Sequence, residues 1–159
     1  MAETYYFIKD LINDVQRGRI RIPSFQRGFV WDSDRVSLFI DSIYKEFPFG
    51  SVLIWRTRNC LRTERNLGPY KLPENDLEYP IDYVLDGQQR ITSIFGIFQN
   101  YLTAGDSENT DWTNLFFELN SKESVPFNIW KILQIMMQQN FFRSSMFSTL
   151  LTIEKLLEI

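Results

Sequence analysis

The pattern with the clearest chemical meaning is the pentapeptide Asp86-Gly87-Gln88-Gln89-Arg90, which follows an apolar run and precedes a segment with helical periodicity. This order predicts a strand, a tight turn and the first turn of a helix. The first amides of a helix lack intrahelical acceptors and carry a partial positive charge, so anions bind there readily. Gly87 would let a ligand approach the backbone closely. Gln88, Gln89 and Arg90 would add side-chain donors that suit phosphate oxygens.

The carboxylate of Asp86 stands where the predicted strand ends. In this position it could hold Mg²⁺ or a ribose hydroxyl. The alternative is that Asp-Gly forms an ordinary β-turn and that Asp86 caps the following helix, since this pair is common in turns. The spacing alone leaves both interpretations open.

A second polar pair, Gln26 and Arg27, lies inside the apolar segment 22–31. The aromatic residues of this segment could fix it as a loop while Gln26 and Arg27 face a ligand. The alternative is that the aromatic side chains belong to the core and that Arg27 is simply solvated. These aromatic residues are Phe25, Phe29 and Trp31.

Composition excludes several kinds of chemistry. The chain has 159 residues, a length that fits one domain, and no histidine, which excludes His-based triads and His-ligated zinc. The single cysteine, Cys60, cannot form an intrachain disulfide, and it fits a cytoplasmic protein. No apolar run is long enough to cross a membrane, so we expect no membrane association.

The net charge of −3 argues against a chain that binds nucleic acid over its whole surface. Arginine is nevertheless concentrated in two places, and either group could contact DNA or form solvated strand ends and loops. The first group is Arg17, Arg19, Arg21 and Arg27, and the second is Arg56, Arg58, Arg62 and Arg65.

The periodicity of apolar residues predicts a mixed α+β fold. We expect one long loop over 57–80. We divide the chain into a core, 1–105, and a strand with a helical extension, 106–159, as the start of a C-terminal region. The predicted helices are 4–17, 33–45, 88–101, 128–139 and 144–158, and the predicted strands are 20–22, 51–56, 83–85 and 115–119.

The order of these motifs resembles the N-terminal domain of GmrSD-type restriction endonucleases. The resemblance covers 4–100 and weakens beyond it. It implies a ParB/sulfiredoxin-like fold, in which helices flank a small mixed sheet and a helical C-terminal segment follows. The matching runs are the segment 22–31, then Ser42-Ile43, then 47–55 from Phe47 to Trp55, and finally 84–93 from Val84 to Ser93.

The resemblance also implies a function. Asp86, Gly87, Gln88, Gln89 and Arg90 would bind or hydrolyse a nucleoside triphosphate (NTP), and Gln26 and Arg27 would complete the pocket. Mg²⁺ at Asp86 would bridge the phosphates, and Asp86, Gln89 and Arg90 would be the catalytic residues. Proteins of this family act in phage defence by cleaving modified DNA with a His-containing C-terminal domain. Because this chain has no His, we expect DNA to be engaged through a full-length protein or a partner nuclease domain.

Two other functions stay open at this point. The pocket could be a non-catalytic clamp that holds a nucleotide or a DNA phosphate, or Asp86 could serve a metal-dependent DNA nuclease or nickase.

The aromatic segment 141–147 could be a homo-oligomer surface, or it could be a joint between helices within the core.

Overall fold

A computed structural model of the chain describes residues 7–63, 66–73, 80–105, 110–118, 127–128 and 141–143. Three α-helices fall within these residues: α1 spans Ile8–Gln16, α2 spans Ser33–Tyr44 and α3 spans Gln88–Phe98. The apolar periodicity thus located all three. The first residues of the helix predicted at 4–17 lie outside the described residues.

The start of α2 shows why the sequence folds locally as it does. Asp32 occupies the N-cap position, and its side chain accepts a hydrogen bond of 2.8 Å from the amide of Arg35. This bond satisfies one of the amides that a helix leaves unpaired at its N-terminus. The bond fixes the start of α2 at Ser33, where the sequence predicted it.

The central sheet has three strands in the order β1-β5-β2. β1 spans Ile20–Arg21, β2 spans Leu53–Thr57 and β5 spans Ile81–Asp86. β1 runs parallel to β5, and β2 runs antiparallel to it. The small mixed sheet is confirmed, although the two longer strands start or end up to two residues away from the predicted bounds.

One face of the sheet contributes to the main core. Val84 of β5 is fully buried there, as are Ile91 and Phe95 on the inner face of α3. Trp112 closes this core from a short 3-10 helix, Asp111–Asn114, and it is also fully buried. The main core therefore anchors both β5 and α3, and with them the turn that joins them.

The other face of the sheet is covered by the chain that follows β2. Tyr83 is fully buried, and its hydroxyl accepts a hydrogen bond of 2.9 Å from the amide of Leu61. Thr63 then forms a β-bridge with Pro23, just after β1. This segment therefore crosses the sheet and reaches the loop that carries Gln26 and Arg27.

The prediction of one continuous loop over 57–80 is wrong. Within it, β3, Asn66–Leu67, and β4, Tyr70–Lys71, form an antiparallel hairpin. Its tight turn begins at Gly68, which has a φ of 57°, a value that favours glycine. Leu67 and Tyr70 are buried. The hairpin was missed because strands of two residues show no periodicity in the sequence, whereas Gly68 and Pro69 are typical of loops.

The last described segments form a second small sheet. β6, Phe116–Glu118, lies between β7, Phe127–Asn128, and β8, Phe141–Arg143, and both pairings are antiparallel. The strand predicted at 115–119 is confirmed. β7 and β8 were not predicted, and 141–143 is a strand rather than a joint between helices. The remainder of the predicted helices 128–139 and 144–158 lies outside the described residues.

The two arginine groups are not uniformly solvated. Arg21 is buried, its Nε donates to the carbonyl of Gly18 at 3.1 Å, and burial lowers the pKa of its guanidinium while the charge interaction with Tyr83 opposes that shift. Arg56 forms a two-pronged ion pair with Asp82, with both N–O distances at 2.7 Å. One arginine of each group therefore has a structural role in or beside the central sheet.

Candidate functional site

The turn between β5 and α3 is made by Gly87, as the sequence predicts. Its φ of 92° lies in the left-handed region. A Cβ atom at this position would lie 3.0 Å from Cγ2 and 3.2 Å from Cα of Val52. Both the backbone conformation and the contact with Val52, the residue before β2, therefore favour glycine here.

We call the N-terminus of α3 open because no side-chain cap occupies its first amides. No side chain caps the helix, and the amide of Ile91 donates to the carbonyl of Gly87 at 3.0 Å. The amides of Gln88, Gln89 and Arg90 precede that bond and can donate to a ligand. The alternative in which Asp86 caps α3 is wrong, because its carboxylate is 74% exposed and points to no helix amide.

Arg90 is held by a turn that precedes β2. Its Nη1 donates to the carbonyl of Ser51 at 2.6 Å, and the same atom lies 3.9 Å from Oδ2 of Asp86. A Cβ atom on Gly50 would lie 3.1 Å from Nη2 of Arg90, so the guanidinium rests against that glycine. Gly50 and Ser51 were not among the predicted site residues. Their only local signal was the turn run Pro48-Phe49-Gly50.

The loop that carries Gln26 is tied to the same corner. Nε2 of Gln26 donates to the carbonyls of Val84 and Leu85 at 2.6 and 3.0 Å. Nε2 of Gln89 donates to the carbonyl of Gly28 at 3.0 Å, and Oε1 of Gln89 accepts from the amide of Val30 at 2.9 Å. Gln26 and Gln89, far apart in sequence, therefore join the loop to the end of β5 and the start of α3.

Two of the three aromatic residues of this loop pack towards the core. The ring of Phe29 lies 4.6 Å from that of Trp112, and the ring of Trp31 lies 5.4 Å from that of Phe39. Both therefore pack towards the core and fix the second half of the loop, as predicted. Phe25 does not contribute in this way, because it is 72% exposed.

Two predicted site residues have side chains that make no polar contact with the described part of the chain. Arg27 is exposed, and no hydrogen bond or ion pair engages its guanidinium. Gln88 is 9% exposed, and its carboxamide also has no partner. The structure thus brings Gln26, Gln89 and Arg90 into one hydrogen-bonded corner and leaves Arg27 and Gln88 uncommitted.

Asp86 is the predicted metal ligand. The described residues contain no group of three or more Cys, Asp or Glu side chains that could hold a metal ion. A single exposed carboxylate fits Mg²⁺ that arrives with phosphate oxygens as its other ligands, which is how Mg²⁺ commonly binds in phosphoryl-transfer sites. It does not fit a metal ion held by protein ligands alone.

None of the helices in the described ranges is long and apolar enough to cross a membrane. One curated relative, an uncharacterised protein of Methanocaldococcus jannaschii, is 32% identical to the chain over 94 residues. The aligned part is 54% of this chain and 16% of that protein, so the chain spans about a sixth of the length of this relative.

The sequence profile of the GmrSD restriction endonuclease N-terminal domain matches residues 8–158. The match therefore includes both the open N-terminus of α3 and the loop that carries Gln26 and Arg27, as well as most of the chain beyond them. The chain belongs to the family of GmrSD restriction endonuclease N-terminal domains.

Proposed function

We propose that this domain binds a nucleoside triphosphate at the N-terminus of α3 and regulates the activity of a restriction system. The observation that carries the proposal is the open start of α3, whose amides have no side-chain cap. A corner with free backbone donors and a partial positive charge is suited to a polyanion. The left-handed Gly87 lets that polyanion approach the backbone closely.

Two guanidinium groups would flank the phosphates. Arg90 is fixed by its bond to the carbonyl of Ser51, so it is already oriented before a ligand binds. Arg27 is exposed on the loop that Gln26 and Gln89 attach to the same corner. Forked guanidinium groups bind phosphate oxygens in pairs, and a fixed one loses little conformational entropy on binding.

The carboxylate of Asp86 would repel a bare triphosphate at this corner, and Mg²⁺ would remove that conflict. Asp86 is exposed and lies 3.9 Å from Arg90, so it stands at the edge of the proposed phosphate site. When bound, Mg²⁺ would neutralise phosphate charge. Asp86 is the residue that would hold it.

Hydrolysis of the NTP is the further part of the proposal. Arg90 and Arg27 would stabilise charge that develops on the transferred phosphoryl group, which is the main contribution of protein groups in such reactions. Asp86 would hold the metal ion. The carboxamide of Gln89 would hold the loop that carries Arg27 through its bonds to Gly28 and Val30.

A second candidate is a domain that binds NTP without hydrolysing it. The observation in its favour is that both ends of the Gln89 carboxamide are hydrogen-bonded to the loop backbone, so its orientation is set by the loop and not by an attacking water. Nucleotide would then act by closing a clamp. Binding and turnover must therefore be measured separately.

The setting of this activity is also a proposal. As part of a longer cytoplasmic protein with a ParB/sulfiredoxin-like N-terminal domain, the NTP site would license cleavage of modified phage DNA by a nuclease domain. That role would make DNA and the nuclease domain the partners of this chain. Contact with DNA would occur through the nuclease domain or through a homo-oligomer.

Calorimetric titration with each of the four Mg²⁺–NTPs tests binding. We expect a saturable site for at least one NTP, and we expect Arg27→Ala to weaken binding by about tenfold to hundredfold, since a charge-assisted bond to phosphate contributes roughly 1.5–3 kcal/mol. Arg58→Ala is the matched control, because Arg58 is also exposed but follows β2 at the opposite end of the sheet from Asp86. Equal weakening by both variants, or no binding by the wild-type protein, would contradict the proposal.

Phosphate release at saturating NTP separates the two candidates. Turnover by the wild-type protein that is lost in Asp86→Asn, with binding retained, supports the hydrolase. Tight binding without phosphate release supports the clamp. Each assay should include the Arg58→Ala control so that a general loss of folded protein is recognised.

A further inference from the structure

We infer that the two adjacent glutamines have different roles: Gln89 is a positioning residue that locks the Arg27 loop in place, and Gln88 is the glutamine that contacts the bound ligand. The part that concerns Gln88 rests on the proposed function. The part that concerns Gln89 stands on hydrogen bonds within the chain, and it can be tested without any nucleotide.

The role of Gln89 follows from its two hydrogen bonds. Its Nε2 donates to the carbonyl of Gly28 and its Oε1 accepts from the amide of Val30, at 3.0 and 2.9 Å. A backbone carbonyl can only accept and a backbone amide can only donate, so this orientation of the carboxamide is the one that satisfies both. The carboxamide thus bridges the backbone of Gly28 and Val30, and these two bonds hold the loop against the start of α3.

Arg27 lies between two such attachment points. Gln26, immediately before it, donates to the carbonyls of Val84 and Leu85, and Gly28, immediately after it, accepts from Gln89. The backbone on both sides of Arg27 is therefore tied to β5 or α3, while its own guanidinium is left uncommitted. A side chain presented in this way loses less freedom when it binds a ligand than one on a loose loop.

Gln88 is the contrasting case. It is 9% exposed, yet its carboxamide has no hydrogen-bond partner in the described part of the chain. Buried polar groups are normally paired, so an unpaired carboxamide at an open helix N-terminus indicates a place for an external partner. Among the side chains of the described residues, the polar atoms that are both unpaired and fully shielded from solvent are Asp41 Oδ1 and Thr92 Oγ1. The side-chain carboxamide of Gln88 is not among them, so it keeps some contact with solvent.

The chemistry of a carboxamide fits a phosphate at this position. Its NH₂ group donates to phosphate oxygens without adding charge, next to backbone amides that do the same. Gln88 and Gln89 follow each other in a helix, so their side chains leave it about 100° apart and cannot serve the same partner. One glutamine faces the loop and the other is available to the ligand.

The positioning role is tested first without nucleotide. Gln89→Met keeps the length of the side chain and removes both hydrogen bonds, and Gln88→Met is the matched control. We expect Gln89→Met to speed hydrogen exchange of the Val30 amide and tryptic cleavage after Arg27, each about tenfold or more, and Gln88→Met to change neither. Unchanged exchange and cleavage in a folded Gln89→Met protein would overturn the positioning role.

The ligand role is tested by a double-mutant cycle in the affinity for Mg²⁺–NTP. If Gln89 acts through the loop, Gln89→Met weakens binding by the wild-type protein about tenfold but has little further effect in Arg27→Ala. If Gln88 contacts the ligand directly, Gln88→Met weakens binding in both backgrounds by the same factor. Additive effects of Gln89→Met and Arg27→Ala, or no effect of Gln88→Met, would overturn the division of roles.

The two parts can fail separately. If the wild-type protein binds no NTP, the proposed function is wrong, while exchange at Val30 and cleavage after Arg27 still decide whether Gln89 locks the loop. If NTP binds normally to Gln89→Met and the loop stays protected, the proposed function stands and the positioning role is wrong. Circular dichroism of each variant confirms that the fold is retained.

Discussion

Gly87 is the residue on which the geometry of the site depends most. Its φ of 92° is costly for any other L-amino acid, and a Cβ atom would lie 3.2 Å from the backbone of Val52. The Cα atom of Val52 belongs to the backbone, so it cannot move away as the end of a flexible side chain could. Both the turn and the close packing of Val52 against it therefore depend on the absence of a side chain at position 87.

We predict that Gly87→Ala lowers the free energy of unfolding by about 1–3 kcal/mol, from the left-handed conformation and the contact with Val52 together. Gly28→Ala is the matched control, because nothing lies within 4 Å of a Cβ atom there and its φ is not positive. We expect it to be neutral or slightly stabilising. Urea denaturation measures both, and an equal loss in the two variants would contradict this account of Gly87.

The sequence could identify most of the residues at this corner but not what each one contacts. Asp86-Gly87 predicted both a tight turn and a helix cap, and only the turn is present, since Asp86 makes no cap. Gln89 was assigned to the ligand from its place in the first turn of α3, and its contacts with Gly28 and Val30 were missed because these residues lie about sixty positions away along the chain. Contacts at that separation leave no mark on local spacing.

At the scale of elements, α3 packs closely against two buried aromatic rings. Gly96 faces the ring of the fully buried Trp112, and a Cβ atom there would overlap ring carbons and lie 3.0 Å from Cε2 of Tyr70. The hydroxyl of Tyr70 also donates to the carbonyl of Gly96 at 3.1 Å. This contact keeps the helix close to the hairpin and the 3-10 helix, and it fixes where the open N-terminus of α3 points.

We predict that Gly96→Ala lowers the free energy of unfolding, although alanine is the better helix former by about 1 kcal/mol. The added methyl group cannot displace a large buried ring, and overpacking of this kind costs about 1–3 kcal/mol or more. Gly105→Ala is the control, since its nearest neighbour is the Pro69 carbonyl at 3.4 Å. A more stable Gly96→Ala protein by urea denaturation would show that this packing is loose.

Prediction at this scale succeeded where elements are long. Helices of nine to twelve residues carry enough apolar periodicity to be located, as α1, α2 and α3 were. The β3–β4 hairpin has only two residues per strand, so its burial could not be inferred from alternation. β7 and β8, with two and three residues, were missed for the same reason.

In the whole molecule, three distant segments meet at one end of the sheet. The loop after β1 arrives through Gln26, the turn before β2 arrives through Ser51, and the β5–α3 turn supplies Gln89 and Arg90. The order of motifs in the sequence predicted that these segments belong together, through the family resemblance rather than through any single motif. The hydrogen bonds that join them could be seen only in three dimensions.

The central claim is that the first amides of α3 meet the phosphates of an NTP. Amide chemical shifts of the ¹⁵N-labelled protein, followed during titration with Mg²⁺–NTP and with the matching monophosphate, test it most directly. We predict that the amides of Gln88, Gln89 and Arg90 shift most, and more with the triphosphate than with the monophosphate. Saturable binding that leaves these three amides unshifted, with the largest changes elsewhere in the chain, would contradict the account.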